Sequence, residues 1–120
     1  MATILVVDDS ISMRQLVTFA LKSDGHEIVQ AGDGVEALNV AKTNQADLVI
    51  TDANMPNMDG LTLVKELRAL PNYKFTPILV LTTESSQEVK AKGREAGASG
   101  WIVKPFSPDQ LKATIKKVLG

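Results

Sequence analysis

One hundred and twenty residues, 44% of them apolar, make room for one domain and no second. Thirteen Lys and Arg against fourteen Asp and Glu leave a net charge of −1, which gives no global pull toward nucleic acid or an anionic membrane. The absence of cysteine excludes disulfides, thiol catalysis and Cys-ligated zinc, and the single His26 leaves no His-rich metal site and argues against a Ser-His-Asp triad. The first apolar run, 4–7, ends at Asp8 and Asp9. A helix follows: Met13, Leu16, Val17, Ala20 and Leu21 recur at i, i+3, i+4, i+7 and i+8, one stripe against a sheet. Gly25 stands where a left-handed cap would end it. A second run, 27–31, leads into a helix whose Asp33 and Glu36 have capping-box spacing. The third, 47–51, ends at Asp52, and the helix after it carries Leu63, Val64 and Leu67 and stops before Pro71.

The fourth run, 77–82, is followed by Thr83 and by a helix opened by Ser85 and Glu88 at capping-box spacing. That helix turns only Val89, Gly93, Ala96 and Ala98 inward, with Lys90, Lys92 and Arg94 around them. At about 25 cal/mol per Å² buried, so little apolar area docks it weakly. It is either the most mobile helix or simply a thin surface one. The fifth run, 101–103, passes through Lys104 to Ser107-Pro108-Asp109-Gln110, with proline at the first helical position, and Leu111, Ile115, Val118 and Leu119 complete the stripe.

Apolar runs rich in Val, Ile and Leu that alternate with helices argue for parallel strands covered on both faces. Five such units predict an open, doubly wound α/β sheet, too few for an eight-stranded barrel. Residues 1–120 read as one domain with no attached output domain. No apolar run approaches the roughly 18 residues of a membrane span. Asp8 and Asp9 come too early for a signal peptide, and a cytoplasmic chain is the expectation.

Ligands bind at the carboxyl ends of strands in such sheets. Those ends carry Asp8 and Asp9, then Asp52, then Thr82 and Thr83, then Lys104. Three converging carboxylates repel, raise one another's pKa and titrate as a set. A hard divalent cation relieves that repulsion, and Mg²⁺ suits a few carboxylates, a carbonyl and retained waters. The Lys104 ammonium and Thr82 hydroxyl complete a pocket for an anion, phosphate best of all. Each residue has a plain alternative: paired Asp after a strand are commonly a turn and a cap, and Lys104 could be a solvated loop lysine. Their coincidence on one edge carries the inference.

Gly32-Asp33-Gly34-Val35-Glu36-Ala37 matches a dinucleotide-binding spacing. Asp33 and Glu36 would set two negative charges where a pyrophosphate should lie, and no second mononucleotide half is present. The glycines read instead as a turn into a capped helix.

Asp8-Asp9, the segment 51–60, Thr82-Thr83 and the segment 97–106 together resemble a bacterial response-regulator receiver of the single-domain chemotaxis (CheY-like) type, over essentially the whole chain. The resemblance implies a flavodoxin-like (βα)5 fold with strand order 2-1-3-4-5. It implies that Asp52 takes a phosphoryl group from a histidine kinase's phosphohistidine. Mg²⁺ would be held by Asp9, Asp52 and the Asn54 carbonyl, with Asp8 acting through water. Thr82 would hydrogen-bond the phosphoryl oxygens and Lys104 pair with them, and Lys104-Pro105 would be cis.

As output, Thr82 would move and leave space for the ring at Trp101, changing the helix 4–strand 5–helix 5 face. Lys90, Lys92, Lys112 and Lys116 make that flank basic, which suits an acidic partner segment; a solvated face looks the same. Chemotaxis members usually carry tyrosine at the position of Trp101, whose indole is larger and donates only through N–H. Thr83 is bulkier than the small residue expected beside Thr82, and Asn54 with Glu84 implies fairly quick self-dephosphorylation. The implied protein is a monomeric switch that is not a turnover enzyme and binds neither nucleic acid nor membrane. Its target is the flagellar motor switch or another signalling protein. A receiver in a non-flagellar pathway, a phosphate sink, an unphosphorylated binding module and a Mg²⁺-dependent phosphohydrolase with an aspartyl nucleophile are the alternatives; the last carries Asp-x-Asp after its first strand, where this chain has Asp8-Asp9-Ser10.

Overall fold

Both faces of each central strand are apolar, and that decides the layering. In a computed structural model describing residues 2–83 and 87–119, the strands are β1 (Thr3–Val7), β2 (Glu27–Ala31), β3 (Leu48–Asp52), β4 (Ile78–Thr82) and β5 (Gly100–Val103). They form one parallel sheet in the order β2-β1-β3-β4-β5. The helices are α1 (Ile11–Ser23), α2 (Gly34–Thr43), α3 (Gly60–Arg68), α4 (Gln87–Ala96) and α5 (Pro108–Leu119). Successive strand residues point to opposite faces. Leu5, Val7, Val49, Ile78 and Val80 therefore meet α2, α3 and α4, whereas Ile4, Val6, Ile50, Leu79 and Leu81 meet α1 and α5. The doubly wound expectation holds, as does the strand order implied by resemblance. The edge strands depart from it: β2 and β5 are only partly covered.

Local signals set the ends of the helices. Ser10 caps α1 and accepts from the Met13 N–H, Asp33 caps α2 and accepts from Glu36 N–H, and Asp59 caps α3 and accepts from Thr62 N–H. Ser107 and Gln110 form a reciprocal capping box at α5, with bonds of 3.1 and 3.0 Å. Gly25, at φ 86°, takes the left-handed conformation expected after α1. Ser85, placed at a cap in the sequence reading, lies outside the described residues.

Two helix faces differ from their periodicity. In α1 the buried side centres between Val17 and Leu21, which carries Thr18 inward and leaves Leu16 at the rim, 45% exposed. In α4 Gly93 and Ala96 are buried and Val89 is half-buried, but the helix ends at Ala96, so Ala98 belongs to the turn beyond.

At the amino-terminal edge of β4 and β5, Arg68 ties three segments together. Its Nε donates to Gly97 O at 3.0 Å, and its Nη1 donates to Tyr73 O at 2.7 Å and Thr76 O at 2.6 Å. Its removal leaves several carbonyls without a donor, each worth about 1–3 kcal/mol if water cannot replace it. Arg68→Ala is expected to lower unfolding free energy by about 2–4 kcal/mol in urea titration. Arg68→Lys should recover less than half of that loss, since one ammonium cannot reproduce the guanidinium fork.

Candidate functional site

The sheet order reverses beside β1, where the next helices leave to opposite faces, and open α/β sheets bind ligands at such a crevice. Val7 pairs with Thr51 across β1 and β3, so Asp8, one residue on, comes beside Asp52 at the end of β3. One carboxylate oxygen each from Asp8, Asp9 and Asp52 lies within 4.8 Å of the others, and Asp8 and Asp52 are buried. Lys104 reaches the same point from beyond β5. Its Nζ stands 2.9 Å from Asp52 Oδ1 and 3.8 Å from Asp8 Oδ2. Its backbone N–H donates to Thr82 O at 2.7 Å, which fixes where the side chain starts. Thr82 itself is buried at the end of β4.

One ammonium faces three carboxylates. Two like charges at that spacing repel by roughly 3.5 kcal/mol in an effective dielectric of about 20, so a single lysine does not balance the cluster. Asp8 registers the imbalance: its pKa is raised above its ordinary value, first by burial and then by the charges of Asp52 and Asp9, against the lowering from the Ser10 N–H and Lys104. The Ser10 N–H donates to Asp8 Oδ1 at 2.9 Å. Asp8 Oδ2 is buried and accepts no hydrogen bond among the described residues. A buried carboxylate oxygen without a donor, beside two more hard oxygens, fits a small divalent cation.

The sequence reading missed Arg14. Its Nη1 donates to the Asp8 main-chain oxygen at 2.7 Å and its Nε to Gln30 Oε1 at 3.1 Å, anchoring the peptide that joins Asp8 to Asp9. The available signal was a charge three residues before the buried Val17, hence on a sheet-facing side of α1.

Residues 4–116 match the family model described as the response regulator receiver domain. The chain belongs to that family. A chemotaxis protein CheY homolog of Campylobacter jejuni is 42% identical to this receiver over 119 residues, which cover 98% of this chain and 92% of that one. Among solved structures, chemotaxis protein CheY4 of Vibrio cholerae superposes with a TM-score of 0.96 at 51% identity, covering 98% of each chain. The receiver domain of a sensor histidine kinase from Pseudomonas aeruginosa, with a magnesium ion coordinated in its active-site cleft, gives a TM-score of 0.91 at 27% identity and covers 99% of this chain and 98% of that one.

Other expected residues of the receiver fall into two places. Asn54 and Thr82 line a recess of about 150 Å³ with Asp59, Leu61 and Val89, between the β3–α3 connection and α4. Thr83, the residue after β4, is exposed, and Glu84 lies outside the described residues. Lys104-Pro105 is cis, as the resemblance implies. Trp101 is half-buried on β5 and rests on Gly93 of α4, where a Cβ would overlap indole atoms Cη2 and Cζ2. A groove of about 580 Å³ runs between β5 and α5, with Trp101, Lys104 and Phe106 on one side and Gln110, Ala113 and Thr114 on the other.

The basic flank is smaller than expected. Lys112 and Lys116 turn away from that groove, toward α1: they line a separate cavity with Asp24 and His26, and Lys112 pairs with Asp24 at 3.7 Å. The helical period puts 110, 113 and 114 on one side of α5 and 112 and 116 on another. Lys117, four residues after Ala113, is the α5 lysine on the groove side. On α4, Lys92 pairs with Glu88 at 3.3 Å and Lys90 is half-buried.

Two measurements follow from these environments. A raised Asp8 pKa means that the folded chain holds this proton more tightly than the unfolded one, so stability is lost as pH rises through the interval above the ordinary carboxyl value. Asp8→Asn keeps an oxygen for the Ser10 N–H and removes the charge; in metal-free buffer at pH 7 it is expected to melt about 3 °C higher than the parent, with a flatter dependence on pH. A lower melting temperature would refute the account of the cluster. Trp101 is the one tryptophan, so emission reports on this ring directly. Gly93→Ala is expected to shift that emission to longer wavelength, increase acrylamide quenching and cost about 1–3 kcal/mol of stability through overpacking.

Proposed function

We propose that the chain is a phosphoryl-accepting switch of two-component signalling in which Asp52 is the acceptor. The observation carrying this reading is the Lys104 ammonium at 2.9 Å from Asp52, with Asp8 and Asp9 converging on the same carboxylate. Phosphoryl transfer asks a protein chiefly to align donor and acceptor and to neutralise the oxygens on phosphorus. Asp52 is a carboxylate nucleophile and needs no general base. An Asp52 oxygen bonds to phosphorus as the P–N bond of a kinase phosphohistidine breaks, giving an acyl phosphate; water later cleaves the new P–O bond and resets the chain.

Lys104 turns from the carboxylate to the phosphoryl oxygens, and the Thr82 hydroxyl donates to one of them. Asp9, Asp52 and the Asn54 main-chain carbonyl would hold Mg²⁺, with Asp8 oriented through water. When bound, that ion supplies further neutralisation of the phosphoryl charge. The chain's catalysis is confined to its own phosphorylation and dephosphorylation.

Output uses the space around Thr82. A shift of Thr82 toward the phosphoryl group enlarges the recess below α4 and changes the seat of Trp101, so the β5–α5 groove presents a different wall to a partner. Similarity to chemotaxis proteins over nearly the full length of both chains favours a chemotactic target such as the flagellar motor switch. The site chemistry is shared with a phosphate sink or a non-flagellar regulator, and the basic residues left on the groove side suit an acidic segment.

Intact-mass measurement after acetyl phosphate and Mg²⁺ tests the reading. One phosphoryl adduct is expected, not formed when chelator is added before acetyl phosphate and absent from Asp52→Asn, whereas Lys104→Met should slow its formation by about 10²-fold or more. Metal-independent labelling, labelling that survives in Asp52→Asn, or turnover of added phosphomonoesters would overturn it.

A further inference from the structure

The Gly32-Asp33-Gly34 turn, whose spacing imitates a pyrophosphate loop, faces the connection that carries Asn54. Asp33 uses its two oxygens separately. Oδ1 accepts from the Glu36 N–H at 2.8 Å, capping α2, and Oδ2 accepts from the Asn57 side-chain amide at 3.2 Å. These two donors, the Glu36 N–H first, hold the Asp33 carboxyl below its ordinary pKa. Asn57 sits in the left-handed region at φ 69°, so the connection reverses at that residue.

Next to this bond, the first turn of α2 and the connection touch directly. A Cβ on Gly34 would stand 2.7 Å from Met58 Cβ and 2.8 Å from Met58 O, closer than real side chains come. The connection also closes on itself: Met58 N–H donates to Pro56 O at 2.7 Å, and Gly60 N–H returns to Ala53 O at 2.9 Å. Asn54 lies inside that closed segment.

We propose that Asp33, Gly34 and Asn57 form a latch holding the β3–α3 connection in the shape that presents the Asn54 main-chain carbonyl to the divalent cation. The proposal rests on the magnesium-dependent reading above and names positioning residues for it, none of which touches Asp52. The carboxylates of Asp52 and Asp8 start from a strand end or the residue after it, whereas the carbonyl ligand comes from a connection whose place is set by its neighbours. Mg²⁺ tolerates little departure from octahedral geometry, so a small displacement of a loop carbonyl removes it as a ligand. A motif that cannot bind a pyrophosphate thereby acquires a task in the same crevice.

Three variants separate latch from scaffold. Asn57→Gly keeps a residue suited to positive φ and deletes the amide. Asp33→Ser keeps a capping oxygen and is too short to reach Asn57. Gly34→Ala puts a better helix former in α2 but drives a methyl into Met58. Mg²⁺ affinity is measured by calorimetry on the full chain, alongside melting without Mg²⁺ and the Mg²⁺ dependence of labelling by acetyl phosphate.

Each variant is expected to bind Mg²⁺ about 3- to 10-fold more weakly, at the low end of what outer partners of metal ligands contribute. The rate of labelling at saturating Mg²⁺ should stay near the parent's, a split that general loosening would not produce. Asn57→Gly and Asp33→Ser break the same bond, so their losses should not add in the double variant. Affinities within about twofold of the parent in Asn57→Gly and Asp33→Ser, or fully additive losses, would overturn the latch. Should Gly34→Ala fail to fold, those two decide. A parent chain that binds no Mg²⁺ overturns the underlying metal reading instead.

Discussion

Three carboxylates and one ammonium at the carboxyl edge of the sheet set the terms for everything around them. Asp8 and Asp52 are buried, and burial makes an ionised group costly unless it is paired. Lys104 satisfies part of the demand, bonding Asp52 and standing close to Asp8. The remainder appears as the raised Asp8 pKa and as a buried Asp8 oxygen without a hydrogen-bond donor among the described residues. A cluster held in this condition is ready to take up positive charge, because a cation relieves a repulsion already present. The crowding costs the fold stability and supplies the driving force for occupancy.

The sheet was legible in the sequence because both faces of its central strands are covered. Short apolar runs such as 4–7 and 48–50, alternating with helical patterns, read as buried strands, and Asp8, Asp52, Thr82 and Lys104 stand at the ends of four strands or just beyond. Periodicity reached parallel and doubly wound; the strand order came from the resemblance, since no local pattern says which strand lies beside which. The helix rims were less legible. Leu16 and Thr18 exchange their expected places because neighbouring residues on α1 lie near the edge of its buried arc, and tertiary packing decides such cases. Lys112 and Lys116 belong to helix 5 and so to the expected output flank, but the helical period carries them round to α1.

The β3–α3 connection escaped the sequence reading for a different reason. Its contacts run from residue 33 to 57 and from 34 to 58, between segments that no local pattern links. The spacing of Gly32, Asp33 and Gly34 was visible, and so was the conflict between their charges and a pyrophosphate. What could not be seen was that the missing methyl at Gly34 makes room for a neighbouring main chain. Gly93 repeats the lesson at the other side of the crevice, where the space left by an absent side chain is occupied by an indole from β5. In both cases a glycine marks a contact, and the identity of its occupant is a property of the fold.

Arg68 and the acidic cluster stand at opposite ends of the strands, and the separation keeps two electrostatic demands on the chain apart. The guanidinium gathers its carbonyls far from Asp52, so the tie at the starts of β4 and β5 shares few atoms with the acidic cluster. A change of charge at one end of the strands therefore leaves the anchorage at the other end as it was.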